Sequence, residues 1–218
     1  MRLAVLVSGR GSNMLRLADH IMAGQDAGQN AGCKIVLVAA NKTCAGLDLA
    51  DQRGFATSLV ARSDFASRAA QEEVLAKQIE DAGADWICLA GYMTVLSASF
   101  VDRFAGRIIN IHPSLLPEYK GLDTHQRVLE AGDAVHGATV HLVTPELDDG
   151  PIILQASLKV DRSDDADSLA ARVLTIEHLL YPFVIESLAT GVLRIENGGV
   201  SWPNQRDALA TTTLPIEE

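Results

Sequence analysis

Cysteine is scarce in this chain and shows no pairing pattern. Cys33, Cys44 and Cys88 stand far apart with no CxxC, so neither a disulfide framework nor a zinc knuckle is indicated. Basic residues are outnumbered: 18 Lys and Arg face 28 Asp and Glu, a formal net charge of -10. That balance argues against a nucleic-acid surface, which needs a basic stripe. It leaves room for an anionic small ligand, held by backbone N–H groups and a local cation. Long apolar runs are also missing. Residues 3–7 are too few for a signal peptide and lead into a glycine-rich turn where a cleavage region would stand. No later run approaches membrane-spanning length. These absences lead to the expectation of a cytoplasmic protein with neither membrane nor nucleic-acid partners. Repeats, low-complexity segments and linkers are absent from the pattern as well.

What is present is an ordinary globular composition, 48% hydrophobic and 21% charged, in a chain of 218 residues. One domain over residues 1–210 is expected, with residues 211–218 as a frayed tail. In the first half, strand-like runs at 3–7, 34–40, 56–60, 85–90 and 107–111 alternate with helical patterns at 13–23, 45–53, 65–82 and 97–104. Such alternation means βαβ units and a mostly parallel sheet with helices on both faces. After Pro117 the rhythm changes. A helix at 124–130 precedes strands at 136–143 and 151–160, which lie too close in sequence for a parallel crossover and should be antiparallel. A long helix over 164–188 follows, with Ser163 as its N-cap and acidic residues in its first turn. The fold class is α/β.

The segment most suggestive of chemistry is Asn110-Ile111-His112-Pro113-Ser114-Leu115-Leu116-Pro117. It ends an apolar strand, and strand side chains repeat with period two, so Asn110 and His112 project to the same side. Pro113 stops the ladder there. An amide donor beside a protonatable ring can stabilise negative charge growing on a carbonyl oxygen. A second segment, Ser8-Gly9-Arg10-Gly11-Ser12-Asn13, lies between the first strand and first helix, the usual phosphate pocket of an open α/β sheet. Met14 occupies the third glycine position of a dinucleotide fingerprint, and no P-loop lysine is present. The N–H groups of Gly11, Ser12 and Asn13 suit a single phosphate monoester; a plain tight turn capped by Ser12 is the equal alternative.

Thr139 and His141 share one strand face with Gly137; a strand histidine such as His136 is most often a satisfied core or surface group, and His141 has a functional reading where its face looks toward the end of the Asn110 strand. The acidic turn Glu146-Leu147-Asp148-Asp149-Gly150-Pro151 is either a hairpin loop or the source of a carboxylate for His112. A metal site built from His112, His125, His136, His141 and Asp148 lacks HxxxH or CxxC spacing and is not favoured. Ser114 lacks the Gly-x-Ser-x-Gly elbow of a serine hydrolase.

Together with Leu89-Ala90-Gly91-Tyr92-Met93 and Gly121-Leu122-Asp123-Thr124-His125, these segments resemble the phosphoribosylglycinamide formyltransferase family, in order from Leu3 to about Pro182. The resemblance implies a Rossmann-like formyltransferase fold, with a mostly parallel sheet ending in antiparallel strands. It also implies transfer of a formyl group from 10-formyltetrahydrofolate, the co-substrate, to the amine of glycinamide ribonucleotide, with no metal. By the same resemblance Gly11, Ser12 and Asn13 hold the ribonucleotide phosphate and Glu177 its amine end. The folate is implied to lie against Met93, Thr94, Val95, Leu96 and Asn110, against Thr144, Pro145, Glu146, Leu147 and Asp148, and near Arg68. Asn110, His112 and Asp148 become the catalytic set, with Thr139 and His141 in support. Both partners are small molecules, and the assembly is a monomer or a homodimer. Thr94, Lys120 and Asp123 depart from the family pattern, where arginine, proline and histidine are common. Two related readings remain, formyltetrahydrofolate hydrolase and methionyl-tRNA formyltransferase, although the tRNA enzyme needs an additional domain and a basic surface. A reading from another class is a non-catalytic phosphate- or nucleotide-binding module.

Overall fold

Leu3, Ala4, Val5, Leu6 and Val7 carry no polar side chain, and all five are fully buried. A run apolar on both faces belongs in the interior of a covered parallel sheet, and here it forms β1 (Arg2–Val7). The computed structural model describes residues 1–26, 32–196, 198–203 and 213–215. It divides into two compact units, Met1–Ile109 and Asn110–Glu218.

In the first unit the chain runs from β1 through α1 (Ser12–Asp26), β2 (Lys34–Ala40), α2 (Ala45–Gln52) and β3 (Thr57–Leu59). It continues through a 3₁₀ turn (Arg62–Asp64), α3 (Arg68–Asp81), β4 (Trp86–Leu89) and α4 (Ala98–Arg103). β1 pairs in parallel with β2 and β4, and β2 pairs in parallel with β3, giving the order β4-β1-β2-β3. The helix expected over 65–82 starts at Arg68, because the Ser67 side chain accepts from the Ala70 N–H and caps it there. Ser97 caps α4 in the same way, through the Phe100 N–H. Three segments leave the carboxyl ends of parallel strands: 8–13 after β1, Asn41 after β2 and 90–97 after β4. Open α/β sheets bind their ligands at that edge.

The division between units falls within β5 (Ile108–His112). The second unit then holds α5 (Thr124–Ala131), β6 (Val135–Leu142), β7 (Ile152–Lys159) and α6 (Ala166–Ala189). Short strands β8 (Arg194–Glu196), β9 (Gly199–Ser201) and β10 (Thr213–Pro215) follow. β6 and β7 are antiparallel, as their spacing required. Their register is broken once: Val140 faces Leu154 but His141 faces Ile152, so β7 carries one extra residue, Ile153. The α/β class is the one expected, parallel with intervening helices in the first unit and antiparallel in the β6–β7 and β8–β9 pairs of the second.

Three expectations change. The N-cap of α6 is Asp165, not Ser163; Asp165 accepts from the Ser168 N–H while the Ser168 hydroxyl accepts from the Asp165 N–H, a reciprocal capping box. Ser163 instead donates to the Asp161 carboxylate. α6 is also 24 residues long and apolar enough to cross a membrane by composition, contrary to the reading of run lengths. Half of its most apolar stretch is buried, and the helix packs against β6, β7 and α5, which is the pattern of a core helix. β8, β9 and β10 were not foreseen. Of the tail expected to fray, residues 213–215 pair in parallel with β7 as β10, and the others lie outside the described residues.

Candidate active site

The turn at 8–13 is shaped by a backbone crossing. Gly11 has φ +78°, and a Cβ placed on it would stand 2.5 Å from the Gly46 Cα. The Gly46 N–H donates to the Gly9 carbonyl at 2.9 Å, so the start of α2 backs the turn directly. The Leu15 N–H donates to the Gly11 carbonyl at 2.9 Å and closes the first turn of α1. No acidic residue lies in that first turn, and Arg10 is exposed beside it. A helix start leaves several N–H groups without intrahelical acceptors, and here they meet no nearby carboxylate of the helix itself.

The segment after β4 has no regular structure, yet it is heavily held. The Met93 N–H donates to Ser8 Oγ at 3.0 Å, and the Ser8 hydroxyl donates to Asn41 Oδ1 at 2.7 Å. Asn41 Nδ2 in turn donates to Thr94 Oγ1. Arg68 donates through Nη2 to the Val95 carbonyl and through Nε to Glu72 at 2.9 Å. The buried Glu72 carboxylate also accepts from the Ser97 N–H at 3.0 Å and from the Ser97 hydroxyl. Met93 and Val95 point their apolar side chains outward, 68% and 53% exposed, while Leu96 is buried. Burial, reinforced by the Glu72 charge, pushes the Tyr92 phenol up to about 12.

In the second unit Asn110, His112, His141 and Asp148 converge. His141 is buried, and its Nδ1 lies 2.8 Å from the Leu142 carbonyl. A carbonyl only accepts, so Nδ1 carries the proton. Burial holds the His141 ring below the ordinary imidazole range, leaving Nε2 as a lone pair. Asn110 Nδ2 stands 3.1 Å from that lone pair and donates to it. The amide is thereby oriented, with its second N–H still to place. His112 is likewise buried and donates from Nε2 to the Tyr119 carbonyl at 3.0 Å. Its Nδ1 faces Asp148 Oδ2 at 3.5 Å, and Asp148 Oδ1 lies 3.7 Å from His141 Nε2. Asp148 Oδ2 also accepts from the Gly121 N–H at 2.9 Å.

Strain collects around this group. Tyr119, Asp123 and Asp148 have φ values of +55°, +57° and +48°, the left-handed region that disfavours L side chains. Lys120 forms an ion pair with Asp149, and Tyr119 donates to Asp133. His125 Nδ1 and His136 Nε2 are 3.1 Å apart. Burial first, then the neighbouring histidines, pushes the His136 ring down to about 4. Thr139 Oγ1 accepts from the Leu116 N–H at 3.0 Å and donates to the Ser114 carbonyl at 2.6 Å, which pins the 113–117 turn. Among the described residues, no three of His, Cys, Asp and Glu are grouped to hold a metal ion.

The sequence pattern of the formyl transferase family matches residues 1–185. This chain belongs to the formyl transferase family. It is 44% identical over 207 residues to the phosphoribosylglycinamide formyltransferase of Escherichia coli (strain K12), covering 94% of this chain and 95% of that protein. It is 40% identical to the trifunctional purine biosynthetic protein adenosine-3 of Bos taurus, covering 92% of this chain but only 20% of the longer protein. A solved phosphoribosylglycinamide formyltransferase from Coxiella burnetii superposes with a TM-score of 0.89 at 38% identity, over 99% of each chain.

Within this formyl transferase, Asp148 lies beside His112 and His141, and His141 beside Asn110, so the three residues that the resemblance implied lie together with a fourth. Thr139 supports the adjoining turn and not the trio itself. Gly11, Ser12 and Asn13 open α1, and Arg68 begins α3, committed to Glu72 and the Val95 carbonyl. Glu177 is buried on α6. Thr144, Pro145, Glu146 and Leu147 form the turn before Asp148, with Leu147 51% exposed. The departures are absorbed locally: Thr94 accepts from Asn41, Lys120 pairs with Asp149, and Asp123 precedes α5 without a side-chain cap. Asn41 and Glu72 were not singled out in sequence. A carboxylate four residues after Arg68 on one helix face was the available signal for Glu72.

Proposed function

We propose that this formyl transferase moves the formyl group of 10-formyltetrahydrofolate to the amine of glycinamide ribonucleotide, giving formylglycinamide ribonucleotide for purine synthesis. The observation that carries this reading is the joint placement of Asn110, His112 and Asp148, with His141 fixing the direction of the Asn110 amide. The neutral amine attacks the formyl carbon, and the carbonyl π electrons move onto oxygen. The second Asn110 N–H donates to that oxyanion. His112 acts as the imidazolium, donating from Nε2 to Tyr119 with Nδ1 turned toward the Asp148 carboxylate. That cation offsets the charge on the intermediate. Asp148, through water, takes a proton from the attacking nitrogen and returns one to the departing folate nitrogen as the carbon–nitrogen bond breaks. Each well-placed oxyanion donor is worth roughly 3–4 kcal/mol, or 10²–10³ in rate.

The remaining residues bind. The N–H groups of Gly11, Ser12 and Asn13 take the ribonucleotide phosphate, and Glu177 the amine end. The folate ring lies on backbone groups of Met93, Thr94, Val95 and Leu96, with Arg68 at its edge. A segment free of sheet ladder, with outward apolar side chains, suits a flat ring with a polar rim. Asn110 and the turn of Thr144, Pro145, Glu146, Leu147 and Asp148 complete its contacts. Both partners are small molecules, and the reaction is placed in the cytoplasm.

Spectroscopic deformylation of 10-formyltetrahydrofolate, with and without glycinamide ribonucleotide, tests this. Turnover that requires the ribonucleotide and yields its formyl derivative is the expected result. Equal turnover without it would assign a hydrolase instead, and no turnover with both present would leave only a binding module.

A further inference from the structure

The segment 91–97 has no ladder of its own, so its conformation is set by side chains from elsewhere in the first unit. The Ser8 N–H donates to the Gly91 carbonyl at 3.1 Å, and the Met93 N–H returns to Ser8 Oγ. Asn41 stands between these and Thr94, accepting from Ser8 with one amide atom and donating to Thr94 with the other. The first residue of the turn 8–13 and the middle of the strip are therefore joined through one carboxamide. At the far end, the buried Glu72 carboxylate gathers Arg68 and both polar groups of Ser97. Ser97 also caps α4, so the strip passes from one anchored element to another.

We propose that Asn41 and Glu72 are positioning residues: Asn41 locks the strip to the turn 8–13, and Glu72 fixes the opposite end. The assignment rests on the reading of the strip as the folate edge. Neither residue touches the reacting atoms. Asn41 suits the task because its amide accepts from Ser8 through Oδ1 and donates to Thr94 through Nδ2 at once, without adding a charge between them. Thr94 supplies the matching acceptor on a short, branched side chain. Glu72 suits its task because a buried carboxylate left without donors is costly, so Arg68 and Ser97 are held tightly against it. A strip fixed in advance binds its ligand without the entropy cost of ordering it.

The test compares Thr94→Val, which keeps the shape and removes the acceptor, with Thr94→Ser, which restores a hydroxyl. Asn41→Ala and Glu72→Gln accompany them. The full-length protein is used throughout. Amide hydrogen exchange over 91–97, without ligand, should accelerate in Thr94→Val, Asn41→Ala and Glu72→Gln, and Thr94→Ser should stay near wild type. The KM for 10-formyltetrahydrofolate should rise about tenfold in the three disrupting variants, the loss of one or two hydrogen bonds, while kcat falls by less. Unchanged exchange in Thr94→Val, or equal defects in Thr94→Ser and Thr94→Val, would overturn the assignment. If Asn41→Ala does not fold, the Thr94 pair decides alone. Accelerated exchange with an unchanged folate KM would overturn the functional part and leave the tie purely structural. A wild-type protein that fails to transfer formyl refutes the proposed reaction, a result distinct from any change in exchange.

Discussion

Replacing Asp148 by asparagine removes one charge while leaving the backbone and the local shape nearly intact. Asp148 sits at φ +48°, where asparagine is among the best tolerated residues, so the substitution adds little strain. The asparagine oxygen can still accept from the Gly121 N–H, which Asp148 does at 2.9 Å. What disappears is the negative charge 3.5 Å from His112 Nδ1, on a side chain only 10% exposed. Two unit charges about 4 Å apart interact by about 4 kcal/mol at an effective dielectric near 20. An amide dipole replaces part of that, leaving roughly 3 kcal/mol of lost stabilisation for a cationic ring facing the oxyanion. The expected kcat is therefore about 10²-fold lower, since each 1.36 kcal/mol is worth about a factor of ten. The melting temperature should stay close to wild type. Asp148→Ala is the comparison: it loses the charge, loses the acceptor for Gly121 and places alanine in the left-handed region, so it should lower both kcat and Tm. Single-turnover rates with both substrates at neutral pH, beside a melting curve, measure the two effects separately. A kcat for Asp148→Asn within threefold of wild type would refute the assigned role of the carboxylate.

Gly46→Ala should weaken ribonucleotide binding at least tenfold by calorimetry, because its new Cβ would stand 2.9 Å from the Gly11 Cα and 3.0 Å from the Gly9 carbonyl oxygen. An affinity equal to wild type would show that the turn 8–13 does not hold the phosphate. Acid should destabilise the fold through His136, whose buried ring is pushed down to about 4 from an ordinary value of 6.5. Above pH 6.5 the ring is neutral in both states and its contribution is fully present. Between about 6.5 and 4 the unfolded chain takes up a proton that the folded ring refuses, so stability falls as pH drops through that window. Urea denaturation from pH 7.5 to 4 should show this slope in wild type and a shallower one in His136→Leu; equal slopes would exclude the residue as its source.

The strands were legible because β1, β2 and β4 are buried runs whose apolar character needs no partner to be recognised. The antiparallel hairpin followed from spacing alone. The cap of α6 was misplaced because 161–168 offers several residues able to cap, and only the reciprocal bonds of Asp165 and Ser168 distinguish them. β8, β9 and β10 have three residues each, too few for a period to show. In the site, Asn110 and His112 declared themselves by sharing a strand end. Asp148 could be assigned only through a turn 36 residues away that the fold brings back. Asn41 and Glu72 carry no motif; their roles arise from which segments the sheet and α3 set beside them, and isolated polar residues do not advertise such neighbours.

The extra residue in β7 has a cost for any redesign of the hairpin. Ile153 sits between the pairs Val140–Leu154 and His141–Ile152, so the chain on its Asp148 side is set one step out from a regular ladder. Removing that step would invert which residues face inward along the repaired stretch. The turn that holds Asp148 3.7 Å from His141 Nε2 would then be carried on a shifted strand. Side chains in this hairpin can be exchanged with local consequences, whereas a change of its length moves every residue between the bulge and the turn.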